Sequence, residues 1–263
     1  MNPELSYASK PTSETPEPAP QNFFNRVIGV WFSPGETFAE IGRAPRVLVP
    51  MLVLMIVGGV GGYLLIERIG VRGFFTPRFE QAVSSGRMSQ EDADKQLEAM
   101  TTGPAAAFTK WSFPVAGLLY YPVLALVLVG LAKLISMLMG GDNAFKPLFS
   151  VSLYALLGIA IISLIVEVAV LYLKSPEEID VNNLVGSNLA ALLGLAFGKE
   201  GLPKFVMELA RWVDLFSIWR ITLLAIGYAA VTRGMKSSSF GMALGGIYLV
   251  VALIAALWAS LSG

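Results

Sequence analysis

Three ionisable residues lie inside two long apolar stretches of the chain. Glu167 falls in the stretch over residues 148–173, and Asp214 and Arg220 fall in the stretch over residues 212–231. If both stretches cross a membrane as helices, Glu167 and Arg220 lie at similar depth, ~10 to 13 Å below the outer boundary. Because an unpaired charge in hydrocarbon costs several kcal/mol, the sequence predicts a Glu167–Arg220 pair that Asp214 can join.

This intramembrane polar cluster has two interpretations. Opposite charges on neighbouring helices can act as a structural clasp. Ionisable residues at membrane depth also form proton relays and solute paths, and a short apolar run such as residues 189–197 can bring a helix end to a substrate site. The second interpretation makes the protein a small transporter or transport subunit, although we detect no inverted repeat in the sequence.

Most catalytic chemistry is excluded by composition. The chain has 263 residues with no cysteine and no histidine, and its formal net charge is zero. Disulfides, Ser-His-Asp triads and HExxH proteases are therefore impossible, and the usual nitrogen and sulfur ligands of metals are missing. The balanced charge also gives no basic surface for nucleic acid. We expect no catalytic residue, no cofactor, no metal and no nucleic-acid partner.

The elements that must position the cluster are membrane-spanning helices. Hydrophobic residues make up 55% of the chain and charged residues 14%, far from the composition of soluble domains. The run over residues 47–66 holds no ionisable side chain, and twenty residues cover ~30 Å as a helix. We predict an all-α, polytopic transmembrane helix bundle over residues 47–261, with five spans at about 47–66, 113–139, 148–173, 212–231 and 240–261.

The segments outside the spans have their own patterns. Residues 1–21 are rich in Pro, Ser, Thr and Glu and lack signal-peptide features, which predicts a disordered cytosolic tail. Residues 22–46 read as interfacial amphipathic helices, with Asn22 and Ser33 as N-caps. Residues 67–112 are expected to form a soluble helical hairpin, in which Thr76-Pro77 is one possible helix start. The run over residues 189–197 is too short to cross and reads as re-entrant or surface-lying.

Basic residues in the short connections set the expected orientation. Lys and Arg in such connections mark the cytoplasmic face. The N-terminus is therefore predicted to be cytoplasmic, and an odd number of spans places the C-terminus outside. The residues used are Arg26, Arg43, Arg46, Lys146, Arg233 and Lys236.

Two pairs of glycines have the spacing of a helix-packing face. Gly58 and Gly62 lie four residues apart in the first span, and Gly241 and Gly245 have the same spacing in the last. Small residues at this spacing let another helix approach closely. We expect both pairs to pack helices inside the bundle.

Three segments together resemble one family of membrane proteins. They are FFNRVIGVWFSPGETFAEI at residues 23–41, GGDNAFKPLFSVSLYALL at residues 140–157, and VDLFSIWRITLLAIGYAAVTR at residues 213–233. With the order of the five spans, they resemble the Yip-one family, named for interaction with Ypt/Rab small GTPases, in its bacterial branch. The resemblance implies a five-helix bundle with a cytosolic N-terminus in the bacterial plasma (inner) membrane.

The function implied by the resemblance is not enzymatic. Eukaryotic members act in vesicle trafficking by binding small GTPases and shaping membranes, but the motifs DLYGP and GTPVS associated with them are missing here. GTPase binding is therefore not expected, and the family brings no catalytic residues.

Our first hypothesis is a scaffold that organises membrane components, with the lipid bilayer and other membrane proteins as partners. The small transporter is the alternative. A membrane enzyme is a third reading, for which Glu167 and Asp214 lack a recognisable motif context.

Overall fold

The computed structural model describes residues 21–181, 183–198 and 201–261, apart from the side chain of residue 177. The predicted disordered tail lies, except for Gln21, outside this part of the chain. The described residues form ten α-helices and one 3-10 helix and no β-sheet, which confirms the all-α class. The α-helices are α1 (Phe23–Phe32), α2 (Pro34–Arg43), α3 (Leu48–Ser84), α4 (Gln90–Thr101), α5 (Gly103–Met139), α6 (Phe145–Leu173), α7 (Leu189–Phe197), α8 (Lys204–Trp212), α9 (Leu215–Ala230) and α10 (Ser237–Leu261).

Four of these helices, α3, α5, α6 and α10, are long and apolar enough to cross a membrane. The shorter apolar helix α9 has 16 residues. Helix α6 lies at the centre of the bundle, because every residue from Ser150 to Ala160 is buried. A helix that is buried all round needs apolar neighbours on every side. Helices α1, α2, α3, α5 and α9 all pack against it. The prediction of a helical membrane bundle is confirmed.

Helices α3 and α5 are longer than a bilayer requires and continue into the region that links them. Helix α3 bends at Gly70, whose φ of 74° lies in the left-handed region that favours glycine. Pro77 lies inside the helix after this bend, so no new helix starts at Thr76-Pro77. Helix α4 does begin at a capped serine, since Ser89 Oγ accepts a hydrogen bond from the Asp92 amide at 3.1 Å.

Helices α1 and α2 form an N-terminal arm that packs against the bundle. Asn22 caps α1 as predicted, accepting a hydrogen bond from the Asn25 amide at 2.8 Å. Ser33 stands at the N-cap of α2, but its side chain makes no capping hydrogen bond. One face of the arm is buried against α6 and α9, and Trp31 of α1 stacks on Trp219 of α9 with the ring centroids 5.7 Å apart.

Helices α7 and α8 pack against each other at the end of the bundle where α9 begins. The Leu189 amide donates to the Val213 carbonyl at 2.9 Å, which ties the start of α7 to the start of α9. Tyr248 of α10 donates its hydroxyl to the Trp212 carbonyl at 2.8 Å and holds α8 against α10. The short apolar run over residues 189–197 is thus a separate helix that packs on α8.

Candidate functional site

The first glycine pair lies where helices α3 and α5 touch through their backbones. A Cβ atom at Gly58 would overlap the carbonyl oxygen of Gly117, and one at Gly62 would lie 2.5 Å from the carbonyl oxygen of Phe113. No larger side chain fits such an approach without moving the helices. The Gly58–Gly62 face therefore sets the distance between α3 and α5.

The second glycine pair lies in a more open place. A Cβ atom at Gly241 would meet only the Ala225 side chain, at 3.7 Å, and one at Gly245 would meet no described atom within 4 Å. Within the described residues, these two glycines do not form a crowded helix contact like that of Gly58 and Gly62.

A cavity of about 190 Å³ lies between α3, α5 and α6, next to the close contact of α3 with α5. Its walls are mostly apolar, and its polar side chains are Glu167, Tyr120 and Tyr121. Gly61 forms part of the wall, and a Cβ atom there would lie 4.0 Å from Glu167 Oε2. We call this space the Glu167 cavity.

The Glu167 carboxylate makes no hydrogen bond and no ion pair with any described residue. The predicted Glu167–Arg220 ion pair is not formed between these described residues. Arg220 instead donates to the Ser217 hydroxyl one turn earlier in α9, at 3.3 Å. The expected equal depth on two helices did not bring these two charges into contact, because depth along a helix does not set the direction of a side chain around it.

Asp214 has a different role from Glu167. Its carboxylate is the N-cap of α9 and accepts a hydrogen bond from the Ser217 amide at 2.9 Å. It also accepts one from the Ser187 hydroxyl. A carboxylate at this position satisfies a free backbone N–H and interacts favourably with the helix dipole. Asp214 therefore joins the segment before α7 to the start of α9 and does not line the Glu167 cavity.

A buried ion pair in the N-terminal arm was not predicted. Arg26 of α1 is wholly buried, and its Nη2 lies 2.8 Å from Oε1 of Glu40 in α2. The Gln21 backbone N–H donates to the same oxygen at 3.1 Å, and the Arg26 guanidinium lies 5.7 Å from the centre of the Tyr154 ring. We call Arg26, Glu40, Gln21 and Tyr154 the arm cluster.

A signal for this pair was present in the sequence. Arg26, Val27 and Val30 follow Phe23 at spacings of three, four and seven residues, which places all four on one helical face. This face packs on the bundle. A basic residue in the middle of an apolar face needs an acidic partner nearby when that face is buried.

The arm cluster is only partly satisfied. Arg26 Nε and Nη1, Glu40 Oε2 and the Tyr154 hydroxyl are buried and have no hydrogen-bond partner among the described residues. Partly satisfied polar networks in a low-dielectric interior are sensitive to the loss of any one member. The cluster thus joins the arm to α6 through charge as well as through apolar contact.

The chemistry open to these sites is binding by charge. Among the described residues, no group of three or more His, Cys, Asp and Glu side chains could hold a metal ion. The Glu167 cavity has one unpaired carboxylate in apolar surroundings, which is a counter-charge for a proton or a cation.

Comparison with protein families gives a match to the Yip1 domain over residues 28–260. Comparisons with curated proteins and with solved structures give no match. The matched range begins within α1 and ends in the last turn of α10, and it includes α2, the Glu167 cavity and all four long apolar helices. The family predicted from the three sequence segments is therefore confirmed, and the chain belongs to the Yip1 domain family of integral, multi-pass membrane proteins.

Proposed function

We propose that this protein is a non-enzymatic membrane scaffold that holds another membrane protein against its N-terminal arm. The observation that carries the proposal is an apolar ridge on α1, formed by Phe24, Ile28 and Phe32. These side chains are 72%, 57% and 83% exposed, and their spacing of four residues places them on one side of the helix. Contiguous exposed apolar surface of this kind marks interaction sites.

The opposite face of α1 supports a docking role for the ridge. Arg26 and Val30 are wholly buried on that face, and Trp31 stacks on Trp219 of α9. The ridge is thus presented by a helix that is anchored in the bundle, so a partner helix can bind it without first ordering it. This arrangement favours holding a partner over carrying out chemistry.

A photo-crosslinking amino acid at Ile28 tests the scaffold role in native membranes. We expect a discrete protein adduct at Ile28, and only lipid adducts at the control position Ile254, which is similarly exposed on α10. The double change Phe24→Ser and Phe32→Ser should remove the Ile28 adduct and leave the melting temperature unchanged. Lipid adducts alone at both positions would contradict the proposal.

We also propose five membrane passes, by α3, α5, α6, α9 and α10. Asp142 and Arg233 exchange two backbone hydrogen bonds, of 3.2 and 2.8 Å, so the α5–α6 and α9–α10 turns lie together. The Ser150 hydroxyl donates to the Arg46 carbonyl at 2.9 Å, which places the start of α3 at the same end. The contact of Leu189 with Val213 lies at the other end. Helix α9 spans ~24 Å, which supports a crossing through a slightly thinned bilayer.

The orientation that we propose has the N-terminal arm in the cytoplasm. The end that holds the arm also holds the basic residues Arg43, Arg46, Lys146, Arg233 and Lys236, as the distribution of positive charge in membrane proteins favours. Since the chain has no cysteine, single-cysteine variants need no background removal.

An impermeant maleimide should label Gln96→Cys in intact cells and Ser238→Cys only after the membrane is opened; both positions are exposed. The reverse pattern would contradict the orientation. Equal labelling of the two in intact cells would contradict five passes.

We propose further that the chain belongs to the bacterial branch of the family and lies in the plasma membrane. The missing DLYGP and GTPVS motifs support this placement, and small-GTPase binding is not part of the proposal. In a bacterial host, density-gradient fractionation should recover the tagged chain with the inner membrane. Recovery with the outer membrane would contradict it.

A second candidate function, a small transporter or transport subunit, is favoured by one observation, the Glu167 cavity of about 190 Å³. In this case Glu167 acts without Arg220, which does not line the cavity. The test is solute uptake by the purified protein in liposomes, which the Glu167→Gln variant should lose. If this uptake is found and Ile28 gives no protein adduct, the transporter role would take the place of the scaffold role.

A further inference from the structure

The Glu167 carboxylate lines a mostly apolar cavity. It has no hydrogen-bond or ion-pair partner among the described residues, and Arg220, the cation nearest in the sequence-based expectation, donates to Ser217. A carboxylate in apolar surroundings is stable when it is neutralised or paired. The Glu167 carboxylate is therefore open to a proton or to a cationic ligand.

The donors around Glu167 do not suit a metal ion. The cavity offers one carboxylate and the two phenol groups of Tyr120 and Tyr121, and its other lining side chains are apolar or glycine. Calcium takes six to eight oxygen ligands, and magnesium requires an octahedral set. An organic cation needs only one charged partner and gains from apolar and aromatic walls.

The cavity is partly open, so its size limits the part of a ligand that it can enclose. Its volume is about 190 Å³, whereas a protein cavity of roughly 150 Å³ holds a benzene molecule. The space therefore accommodates about six to eight non-hydrogen atoms. Gly61 keeps part of this space open beside Glu167, since its absent side chain would point to Oε2 at 4.0 Å.

We propose that the Glu167 cavity binds a small organic ammonium ion, with its nitrogen paired to the Glu167 carboxylate and its apolar portion against the glycine-rich wall of α3. Tyr120 and Tyr121 also line the cavity, and aromatic side chains favour a nearby cation. The proposal goes beyond the scaffold role and does not require that the ligand cross the membrane. The ammonium group can belong to a free amine or to the headgroup of an aminophospholipid.

Isothermal titration calorimetry of the purified full-length protein in detergent tests the binding site, with n-butylammonium as the probe and n-butanol as the neutral control. We expect saturable binding of the cation only. The Glu167→Gln variant should weaken it by about tenfold or more, because a charge-assisted contact is lost. Glu208→Gln, on α8 and outside the Glu167 cavity, should bind as the unchanged protein does.

A second variant tests the cavity without touching the charge. Gly61→Ala meets its nearest side chain, Leu164, at an ordinary 3.5 Å, so it should fold and yet reduce butylammonium binding by occupying the space. Gly245→Ala, in open space on α10, is the matched control. Absence of saturable binding, or equal binding by the Glu167→Gln variant, would overturn the proposal.

The source of the ammonium group is distinguished in nanodiscs. If the headgroup of phosphatidylethanolamine occupies the cavity, butylammonium should bind more weakly in discs of that lipid than in discs of phosphatidylglycerol, and this difference should vanish in Glu167→Gln. Equal binding in both discs would assign the site to a free amine. Neither result depends on the Ile28 crosslink, so the scaffold role and the ammonium site can fail separately.

Discussion

Glu40 and Glu167 are two carboxylates of one bundle with opposite surroundings. Glu40 is nearly buried and has Arg26 at 2.8 Å and the Gln21 backbone N–H at 3.1 Å. Glu167 is half-buried beside a cavity and has no such partner among the described residues. The difference separates a structural charge from a charge left available for a ligand.

This contrast has a thermodynamic reason. Removing one member of a buried ion pair leaves the other charge uncompensated, which is more costly than replacing the whole pair with neutral groups. Removing a carboxylate that has no protein partner leaves no other charge uncompensated. The free energy of unfolding should therefore respond strongly to changes at Arg26 and weakly to changes at Glu167.

The largest effect is expected from Arg26→Met. It leaves Glu40 as a buried, uncompensated carboxylate, so we expect the free energy of unfolding to fall by about 3–5 kcal/mol. Thermal unfolding in detergent, followed by circular dichroism, measures it. Adding Glu40→Gln should recover much of the loss, and a double variant as unstable as the single one would contradict the structural role of the pair.

A smaller loss is expected from Gly58→Ala, in the helix contact beside the Glu167 cavity. The added Cβ overlaps the Gly117 carbonyl oxygen, and such overpacking costs about 1–3 kcal/mol. Gly245→Ala, with no described atom near the added Cβ, should have no such effect in the same unfolding experiment. Equal effects of the two changes would show that α3 and α5 do not touch at Gly58.

Changes at Asp214, a third carboxylate, should lower the free energy of unfolding by less than Arg26→Met does and by more than Glu167→Gln does. Asp214→Ala removes the N-cap of α9, which costs about 1 kcal/mol. Asp214→Asn keeps an oxygen that can accept from the Ser217 amide, so it should retain most of the stability. A change in butylammonium binding by the Asp214→Asn variant would show that Asp214 contributes to the same binding site as Glu167.

The smallest effect on stability is expected from Glu167→Gln. Since the carboxylate has no described partner, we expect the free energy of unfolding to change by about 0.5 kcal/mol or less. The same variant should lose butylammonium binding, and this combination defines a binding residue. A destabilisation as large as that of Arg26→Met would show that Glu167 is structural.

The pattern of apolar residues predicted most of the long helices. The charge-free run over residues 47–66 and the runs over 113–139, 148–173 and 240–261 match α3, α5, α6 and α10 to within one residue or lie inside them, because hydrocarbon allows only helices with internally paired backbones. The run over 212–231 was too long, since Trp212 ends α8 and α9 begins at Leu215. The ends of α3 and α5 were harder to predict. Helix α3 continues past Gly70, because a helix can project beyond the bilayer when α5 packs along it.

The polar side chains were predicted less well than the helices. Glu167, Asp214 and Arg220 were placed in one cluster because they have similar depth in the sequence-based topology. Depth along a helix does not determine the direction of a side chain around it. Asp214 and Arg220 both contact Ser217 in the first turns of α9, and this local hydrogen bonding left Glu167 alone.

The sequence by itself determined that the protein lies in a membrane, that it is all-α and which family it belongs to. Each of these depends on the order and length of apolar segments and on the residues at their ends. Only the tertiary structure decided which charges are paired. Arg26 was read as a marker of orientation and is the centre of a buried ion pair, and Glu167 was read as a member of a pair and faces a cavity. The physical reason is that pairing depends on angles around helices and on contacts between distant segments, which hydropathy along the chain does not record.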